Sequence, residues 1–361
     1  MGLNAAIISL GSVSSKWTFE RMQNYFDEVD ELDIRKLQVK LGKDNGIYYD
    51  GEPLKHYDCI FAKGSYKYAI VLRSLTSMMA GKCYMPLKAS AFTVGHNKIL
   101  TQLKLQQSGI PTPTSYLSPS VQSAKKVLED ITFPVIIKFP EGTQGKGVMF
   151  ADSYASASSM LDAFASLKQP VIIQEYVETG STDTRAIVVG DKVVAAMQRK
   201  AETGEKRANI HAGGVGESVE LDAHTKNIAV KTAKAMNCSV CAVDLLEGVK
   251  GPYVIEINLS PGLQGITSTT KVDVAEKIAK YLYTETKNLL NEEKSNGTSD
   301  ILQEMGIDTD SKNSSQEIIT SADLRGSRLL LPDVVAKMGQ ISADDEIIIK
   351  AEKGKIEIKK V

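Results

Sequence analysis

The feature that most constrains this chain is a set of apolar, strand-like segments that carry charged side chains at internal positions. An ionised side chain inside a buried strand is costly unless an opposite charge or a ligand compensates it. The segments are therefore expected to meet where their charged groups can be neutralised together. They are VIIKFPEGTQGKGV (Val135–Val148), IIQEYV (Ile172–Val177), CAVDLL (Cys241–Leu246) and YVIEINLSPGLQGI (Tyr253–Ile266).

The first segment places Lys138 in an apolar strand that runs into the glycine-rich loop EGTQGKGV. Backbone amides of such a loop can close over phosphate oxygens, because glycine lacks the Cβ that keeps the chain away. The loop lies between two strands and contains no GK[ST], so it is neither a Walker A loop nor a Rossmann turn. It predicts a phosphate-binding hairpin. The structural alternatives are an ordinary hairpin and a lysine that snorkels from an edge strand.

The last two segments indicate a metal site. Glu256 and Asn258 lie two residues apart in a strand pattern, so their side chains share a face, and Asp244 on the preceding strand can meet them there. Carboxylate and amide oxygens are hard ligands suited to Mg²⁺ or Mn²⁺, with nucleotide phosphates completing the coordination. A solvated polar face fits poorly, because apolar residues flank each of the three.

Composition places few limits on function. The 361 residues suffice for two or three domains, and a net charge of −1 gives no overall attraction to nucleic acid or to an anionic membrane. No apolar run approaches the roughly 18–20 residues of a membrane span, and the N-terminus is typical of a first strand rather than a signal peptide. Four scattered cysteines, including Cys238 and Cys241, suit core thiols in a reducing cytoplasm, the predicted location.

The order of apolar runs divides the chain into four predicted parts. Residues 1–90 alternate strands with a helix, which predicts a small parallel α/β domain. Residues 91–290 form the predicted catalytic core, and the polar, Ser/Asn-rich residues 291–320 predict a flexible linker with at most a helical patch at Ile301–Met305. Residues 321–361 predict a small β module. The elements expected in the first part are strands at Asn4–Leu10, Leu32–Val39 and Cys59–Ala62 and a helix at Lys16–Phe26.

The motifs GTQGKGV, QEYV, the DxR of Asp183 and Arg185, RANIHAGG (Arg207–Gly214) and EINLSPGLQGI follow one another in a recognisable order and spacing. In these motifs the chain resembles ATP-grasp enzymes of the RimK-like carboxylate–amine ligase group, nearest to the L-glutamate ligases, from about His96 to Thr286. The resemblance implies a protein of mixed α/β structure whose catalytic core has the ATP-grasp fold, which is of the α+β type. It comprises a small N-terminal domain, a two-part ATP-grasp core and a C-terminal β-hairpin module.

The resemblance also implies roles for individual residues. Arg207 and Asn209 would reach the γ-phosphate and the acylphosphate as catalytic residues, whereas His211 is read as structural. Asp244, Glu256 and Asn258 would hold Mg²⁺ or Mn²⁺, two ions in all. Arg185 and Arg199 are candidates for substrate carboxylates, which a guanidinium fork matches. ATP would contact Lys98, Lys138, Gly142, Thr143, Gln144, Gly145, Gly147, Glu175, Tyr176, Asp183, Arg207 and Asn209.

The implied reaction explains the lack of a nucleophilic triad. ATP phosphorylates a carboxylate, and an amine displaces phosphate to form an amide, so the protein supplies positioning and charge neutralisation. We predict that the amine belongs to an amino acid, L-glutamate, and that the acceptor is a protein C-terminus, a cofactor tail or a small metabolite. Ala212 and Thr267 depart from the basic and acidic residues that the family favours there, at positions where specificity would be set.

Residues 321–361 resemble a different family, the swapped-hairpin module of AbrB/MazE-type transcription factors. Those factors dimerise by strand exchange and bind DNA through basic positions. Here eight Lys/Arg stand against seven Asp/Glu, and DNA binding requires phosphate neutralisation, so the pattern favours a dimerisation module and a homo-oligomer. The alternative function is a nucleotide-sensing DNA-binding or scaffold protein that acts through this module. No membrane partner is expected.

Overall fold

The computed structural model describes residues 2–43, 45–140, 147–165, 169–200, 215–304, 323–325, 328–330, 347–352 and 355–360. The chain forms two compact units, Met1–Lys294 and Ser295–Val361. None of the helices within these ranges is long and apolar enough to cross a membrane.

The N-terminal domain is built on a parallel sheet of order β2–β1–β6, as the β-α-β rhythm predicted. The central strand β1 is almost wholly buried, which suits its continuous apolar run. Helix α1 follows it, and the hydroxyl of Ser12 caps the helix by accepting a hydrogen bond from the Ser15 amide. The elements are β1 (Asn4–Ser9), α1 (Val13–Met22), β2 (Glu28–Asp33), β6 (Cys59–Ala62) and α2 (Ala69–Met79).

One strand prediction in this domain was wrong. The expected strand Leu32–Val39 is interrupted, because the carboxylate of Asp33 accepts the Arg35 amide at 2.9 Å and starts the 3₁₀ turn Ile34–Lys36. The chain then enters a separate antiparallel sheet. That sheet consists of β3 (Leu37–Lys40), β4 (Gly46–Tyr49) and β5 (Glu52–Pro53).

The first half of the core is a four-stranded antiparallel sheet of order β7–β10–β8–β9. Helices α5 and α6 supply the apolar residues that complete a separate core beneath it. Two short helices, α3 and α4, lead into this half, and a second 3₁₀ turn covers Tyr66–Tyr68. The elements are α3 (Ala89–Val94), α4 (Lys98–Gln107), β7 (Ser115–Ser118), α5 (Val121–Asp130), β8 (Val135–Lys138), β9 (Val148–Ala151), α6 (Tyr154–Phe164) and β10 (Val171–Glu175).

The second half is a five-stranded antiparallel sheet of order β13–β12–β11–β14–β15. Its apolar core is continuous with that of the N-terminal domain, so these two parts form one hydrophobic body. The elements are β11 (Thr182–Val189), β12 (Lys192–Lys200), β13 (Val215–Ser218), α7 (Ala223–Ala235), β14 (Val240–Gly248), β15 (Gly251–Asn258), α8 (Gln264–Thr270) and α9 (Val274–Glu304).

The structure differs from the sequence reading in the expected linker. Helix α9 continues through residues 291–304, where we expected irregular chain with at most a short helical patch. The helix is already nucleated by its buried first turns, and each added residue then gains a hydrogen bond without a new nucleation cost. Polar composition alone therefore does not end it.

The C-terminal hairpin agrees with its prediction. Strands β18 (Ile347–Glu352) and β19 (Lys355–Lys360) pair antiparallel, and β16 (Asp323–Arg325) pairs with β17 (Arg328–Leu330). The helical turn expected from Pro332 lies outside the described residues. The likeness of this module to AbrB/MazE factors stays a prediction.

Candidate active site

A row of charged side chains crosses one face of the five-stranded sheet. Strand register pairs Asp183 with Arg199, Arg185 with Asp244, and Asp244 with Glu256. Directly opposed residues in an antiparallel sheet project from the same face, so these five groups lie together.

Two arginines and two aspartates of this row form one buried ion-pair network. Arg185 donates from Nε and Nη2 to the two carboxylate oxygens of Asp244, both at 2.7 Å. Arg199 pairs in the same forked manner with Asp183, with Nε to Oδ1 at 2.6 Å, and its Nη2 also lies 3.1 Å from Oδ2 of Asp244. The four side chains are only 5–16% exposed. Such bidentate pairs fix orientation as well as charge.

The network affects its two carboxylates differently. Burial works to raise the pKa of Asp244, but Arg185 and Arg199 together outweigh burial and lower that pKa to about 2. Burial raises the pKa of Asp183 to about 6, because Arg199, which also serves Asp244, offsets the effect only in part. Asp244 is therefore fully ionised at neutral pH before any ligand binds.

The three predicted metal ligands share this face. Burial by the surrounding protein, followed by the negative charge of Asp244, raises the pKa of Glu256, although its side chain stays accessible to solvent. Asn258 ends β15, and its Oδ1 accepts the Ser260 amide at 3.0 Å, which leaves one lone pair of that oxygen. No group of three or more His, Cys, Asp or Glu side chains converges among the described residues, so the set depends on the Asn258 amide.

This donor set fits a hard divalent cation. Two opposed carboxylates repel each other, and a cation between them would relieve the repulsion that raises the pKa of Glu256. Both Asp244 oxygens are engaged by guanidinium groups, so metal binding requires Asp244 to share an oxygen or release one arginine contact.

Lys138 faces the row from the four-stranded sheet and is 8% exposed. Burial, followed by the positive charge of Lys98, lowers the pKa of its ammonium to about 8, although the negative charge of Glu256 acts in the opposite sense. These influences place Lys98, Lys138 and Glu256 within electrostatic reach of one another. The two sheets thus bring a cationic side and an anionic side together.

A hydrogen-bonded chain holds the ammonium of Lys138, and the sequence reading missed it. The Nζ atom of Lys138 donates to Oε1 of Gln174 at 2.9 Å, and Nε2 of Gln174 donates to Ser115 Oγ at 2.7 Å. Gln102 on α4 donates to the same Ser115 hydroxyl at 2.8 Å. The available signal was a polar residue, Gln174, inside the apolar run of β10, one strand from the lysine.

The residues expected around the nucleotide base lie at the edge between the two halves. The Tyr176 ring packs edge-on against Phe150, with ring centroids 5.1 Å apart, and Glu175, the last residue of β10, is exposed. The Lys98 amide donates to the Pro140 carbonyl at 3.2 Å, so α4 begins beside the last described residue before the glycine-rich loop. Gly147 has φ 75°, and the Phe139 ring lies 3.1 Å from the position of a Cβ there, so both the backbone and the space favour glycine.

Six predicted site residues lie outside the described part of the chain, and their roles stay predictions. Four belong to the glycine-rich loop and two to the RANIHAGG segment. They are Gly142, Thr143, Gln144, Gly145, Arg207 and Asn209.

Comparison with known proteins gives a consistent result. Residues 95–282 match the family described as RimK-like ATP-grasp domain. A protein of Picosynechococcus named "Probable alpha-L-glutamate ligase" is 39% identical over 270 residues, which cover 73% of this chain and 89% of the relative.

Two solved structures share the fold at low sequence identity. The ATP-grasp ligase PsnB, complexed with minimal precursor, Mg and ADP, has a TM-score of 0.61 at 15% identity. The match covers 79% of this chain and 98% of the PsnB chain. The D-alanine–D-alanine ligase from Bacillus anthracis, complexed with ATP, has a TM-score of 0.58 at 18% identity, and the match covers 81% of this chain and 99% of the ligase chain.

Proposed function

The chain belongs to the RimK-like ATP-grasp family and is an ATP-dependent amide-bond-forming enzyme, and we propose that it joins L-glutamate to a carboxylate acceptor. The observation that carries the proposal is the opposition of Asp244 and Glu256 on one sheet, with Lys138 facing them from the other. This arrangement suits a metal-bound nucleotide, because it offers carboxylates to the cation and an ammonium to the phosphates.

Different side chains are proposed to bind the phosphates and the metal during phosphoryl transfer. Lys138 and Lys98 bind the phosphates of ATP, and Asp244, Glu256 and Asn258 would hold Mg²⁺ or Mn²⁺, in two sites. A metal held there would neutralise negative charge on the phosphoryl group during its transfer to the acceptor. A carboxylate oxygen of the acceptor attacks the γ-phosphorus, ADP leaves, and an acylphosphate forms. The amine then attacks the acyl carbon, loses a proton and expels phosphate, leaving an amide.

Arg207 and Asn209 are proposed to stabilise the transferring phosphoryl group and the acylphosphate. Arg185 and Arg199 remain candidates for substrate carboxylates, but both guanidinium forks are engaged by Asp244 and Asp183. Binding of a substrate by either arginine would have to use the Nη1 side of the guanidinium or open one of those ion pairs. Their first task in the ligand-free protein is to orient the row.

The choice of glutamate is supported by the names of the relatives, which are probable alpha-L-glutamate ligases at 34–39% identity. The candidate acceptors are a protein C-terminus, a cofactor tail and a small metabolite.

The test is product identification with the purified full-length protein. Incubation with ATP, Mg²⁺, isotope-labelled L-glutamate and a metabolite and peptide extract is expected to release ADP and to yield a product heavier by one or more labelled glutamyl residues. A Glu256→Gln protein serves as the matched control. Incorporation of a different amino acid in place of glutamate would overturn the glutamate assignment, and ADP release equal to that of the control would overturn the ligase site.

A further inference from the structure

We propose that Lys63, in the N-terminal domain, binds a carboxylate of the amino acid or of the acceptor and so forms an anion subsite for the substrates. This inference rests on the proposed ligase function, because it identifies where a substrate charge is met. The residue was not singled out by its sequence, and the ATP and metal machinery does not use it.

Lys63 is a buried cation at the end of a parallel strand. It follows β6 directly, and its amide donates to the Ile8 carbonyl at 2.9 Å. The residue is only 3% exposed. The hydrogen bond extends the β1–β6 register by one residue and places Lys63 beside Ser9. A lysine that merely snorkelled to the surface would keep its head in water and a larger exposed area.

No carboxylate neutralises this ammonium within the described part of the chain. The ammonium instead lies over the ring of Phe61, whose centroid is 5.6 Å from Nζ. Burial lowers the pKa of Lys63 to about 8. The group is therefore still mainly protonated at neutral pH, and a buried ammonium without a counter-charge favours binding of an anion.

The position of Lys63 fits a ligand contact. Ligands of open parallel sheets bind outside the carboxyl ends of the strands, and Lys63 and Ser9 stand at that end. The same edge is fastened to the rim of the catalytic site, because Ser14 Oγ accepts the Leu263 amide and donates to Gln264 Oε1, both at 2.8 Å. The turn that holds Leu263 and Gln264 follows Asn258, the last predicted metal ligand.

The ion pairs of the two arginines on the catalytic face also support Lys63 as the group that binds a substrate carboxylate. The Nε and Nη2 groups of Arg185 and Arg199 are already engaged by protein carboxylates, so these arginines offer an incoming carboxylate fewer donors than a free guanidinium would. Lys63 carries a positive charge that forms no ion pair with a carboxylate among the described residues. Since both substrates of the proposed reaction carry carboxylates, either of them supplies the matching anion.

The kinetic test uses the full-length protein with Lys63→Met, which keeps the length of the side chain and removes the charge, and Lys63→Arg, which restores charge. The exposed Lys67→Met is the matched control. ADP release is followed while L-glutamate is varied at saturating extract, and while the extract is varied at saturating glutamate. We expect Lys63→Met to raise the half-saturating amount of one of the two by about tenfold to a hundredfold, the value of one charge-assisted hydrogen bond. The KM for ATP should stay within about twofold, and Lys63→Arg should recover part of the loss.

The two titrations distinguish the two possible ligands. A higher half-saturating amount of glutamate in Lys63→Met would show that Lys63 binds the amino acid, and a higher half-saturating amount of extract would show that it binds the acceptor. Half-saturating amounts unchanged in Lys63→Met, with a lowered Tm, would overturn the proposal and make Lys63 a structural residue. A second readout does not need turnover. Glutarate and L-glutamate should raise the Tm of the wild type and of Lys67→Met more than that of Lys63→Met, and equal shifts in all three would also refute the subsite. If the wild type incorporates no glutamate, the proposed substrate fails, while the glutarate shift still decides the role of Lys63.

Discussion

Replacing Lys138 with methionine is expected to weaken ATP binding and, in the absence of ATP, to leave the protein as stable as the wild type or more stable. The ammonium has a pKa of about 8 in the folded protein against 10.5 for the ordinary side chain. The folded state therefore disfavours the charge, and the difference of about 2.5 units corresponds to roughly 3 kcal/mol at neutral pH. Methionine removes this cost but leaves Gln174 Oε1 without its donor, which costs about 1–3 kcal/mol.

The expected net change in the free energy of unfolding lies between zero and about 2 kcal/mol in favour of the variant. The sign follows from linkage. Because the pKa is lower in the folded state, the penalty is fully present below pH 8 and disappears as pH rises toward 10.5. The wild type should consequently gain stability relative to the variant over that interval. The neighbouring charges that share this response are Lys98 and Glu256.

Urea unfolding at pH 7 and pH 10, with calorimetry of ATP and Mg²⁺ binding, measures both effects. ATP affinity should fall by about tenfold to a hundredfold, since a charge-assisted contact to phosphate is lost. The exposed Lys126→Met on α5 controls for the substitution itself. A variant destabilised by more than about 1 kcal/mol, or one that binds ATP normally, would refute the idea that this buried lysine is kept for a phosphate.

Three further expectations address the rest of the chain. Glu256→Gln should abolish ADP release without loss of Tm, because its carboxylate is already disfavoured by burial and by Asp244; normal turnover would remove Glu256 from the metal site. Arg185→Met should lower the free energy of unfolding by about 3 kcal/mol in urea, since it leaves buried Asp244 with only the Arg199 contact, and a loss below about 1 kcal/mol would show that the pair is dispensable. Truncation after Lys294, the end of the first compact unit, should keep ligase activity and reduce the number of chains per particle in sedimentation, whereas an unchanged number of chains would exclude the C-terminal module as a dimerisation element.

The sequence predicted the positions of the metal-ligand candidates because strand periodicity is local information. Glu256 and Asn258 share a face by alternation alone, and the structure brings Asp244 opposite Glu256. The pairing of Arg185 with Asp244 and of Arg199 with Asp183 was not predictable in that way. It depends on the register between β11, β12 and β14, which is set by tertiary packing. The two arginines were consequently assigned to substrates, although protein carboxylates hold them in the ligand-free chain.

Lys63 and Lys138 show a second reason for incomplete prediction. Lys138 attracted notice because apolar residues surround it and a glycine-rich loop follows. Lys63 directly follows a four-residue strand and precedes a glycine, a place where lysine is usually solvated, so its sequence gave no sign of burial. The burial of Lys63 becomes visible only in the folded N-terminal domain, where the residue is 3% exposed.

The ion-pair network also keeps Asp244 ionised and oriented without a bound metal, which would favour binding of a divalent cation at this face of the sheet. Two guanidinium groups stand against the three carboxylates of Asp183, Asp244 and Glu256, so the described row keeps one excess negative charge. Arg185 and Arg199 hold Asp244 ionised and oriented, which prevents it from taking up a proton beside Glu256. The remaining repulsion is concentrated on Glu256, the accessible member. We therefore expect a divalent cation to bind most favourably between Glu256 and Asp244, where it would be near the ammonium of Lys138 and the phosphates that this lysine is proposed to hold.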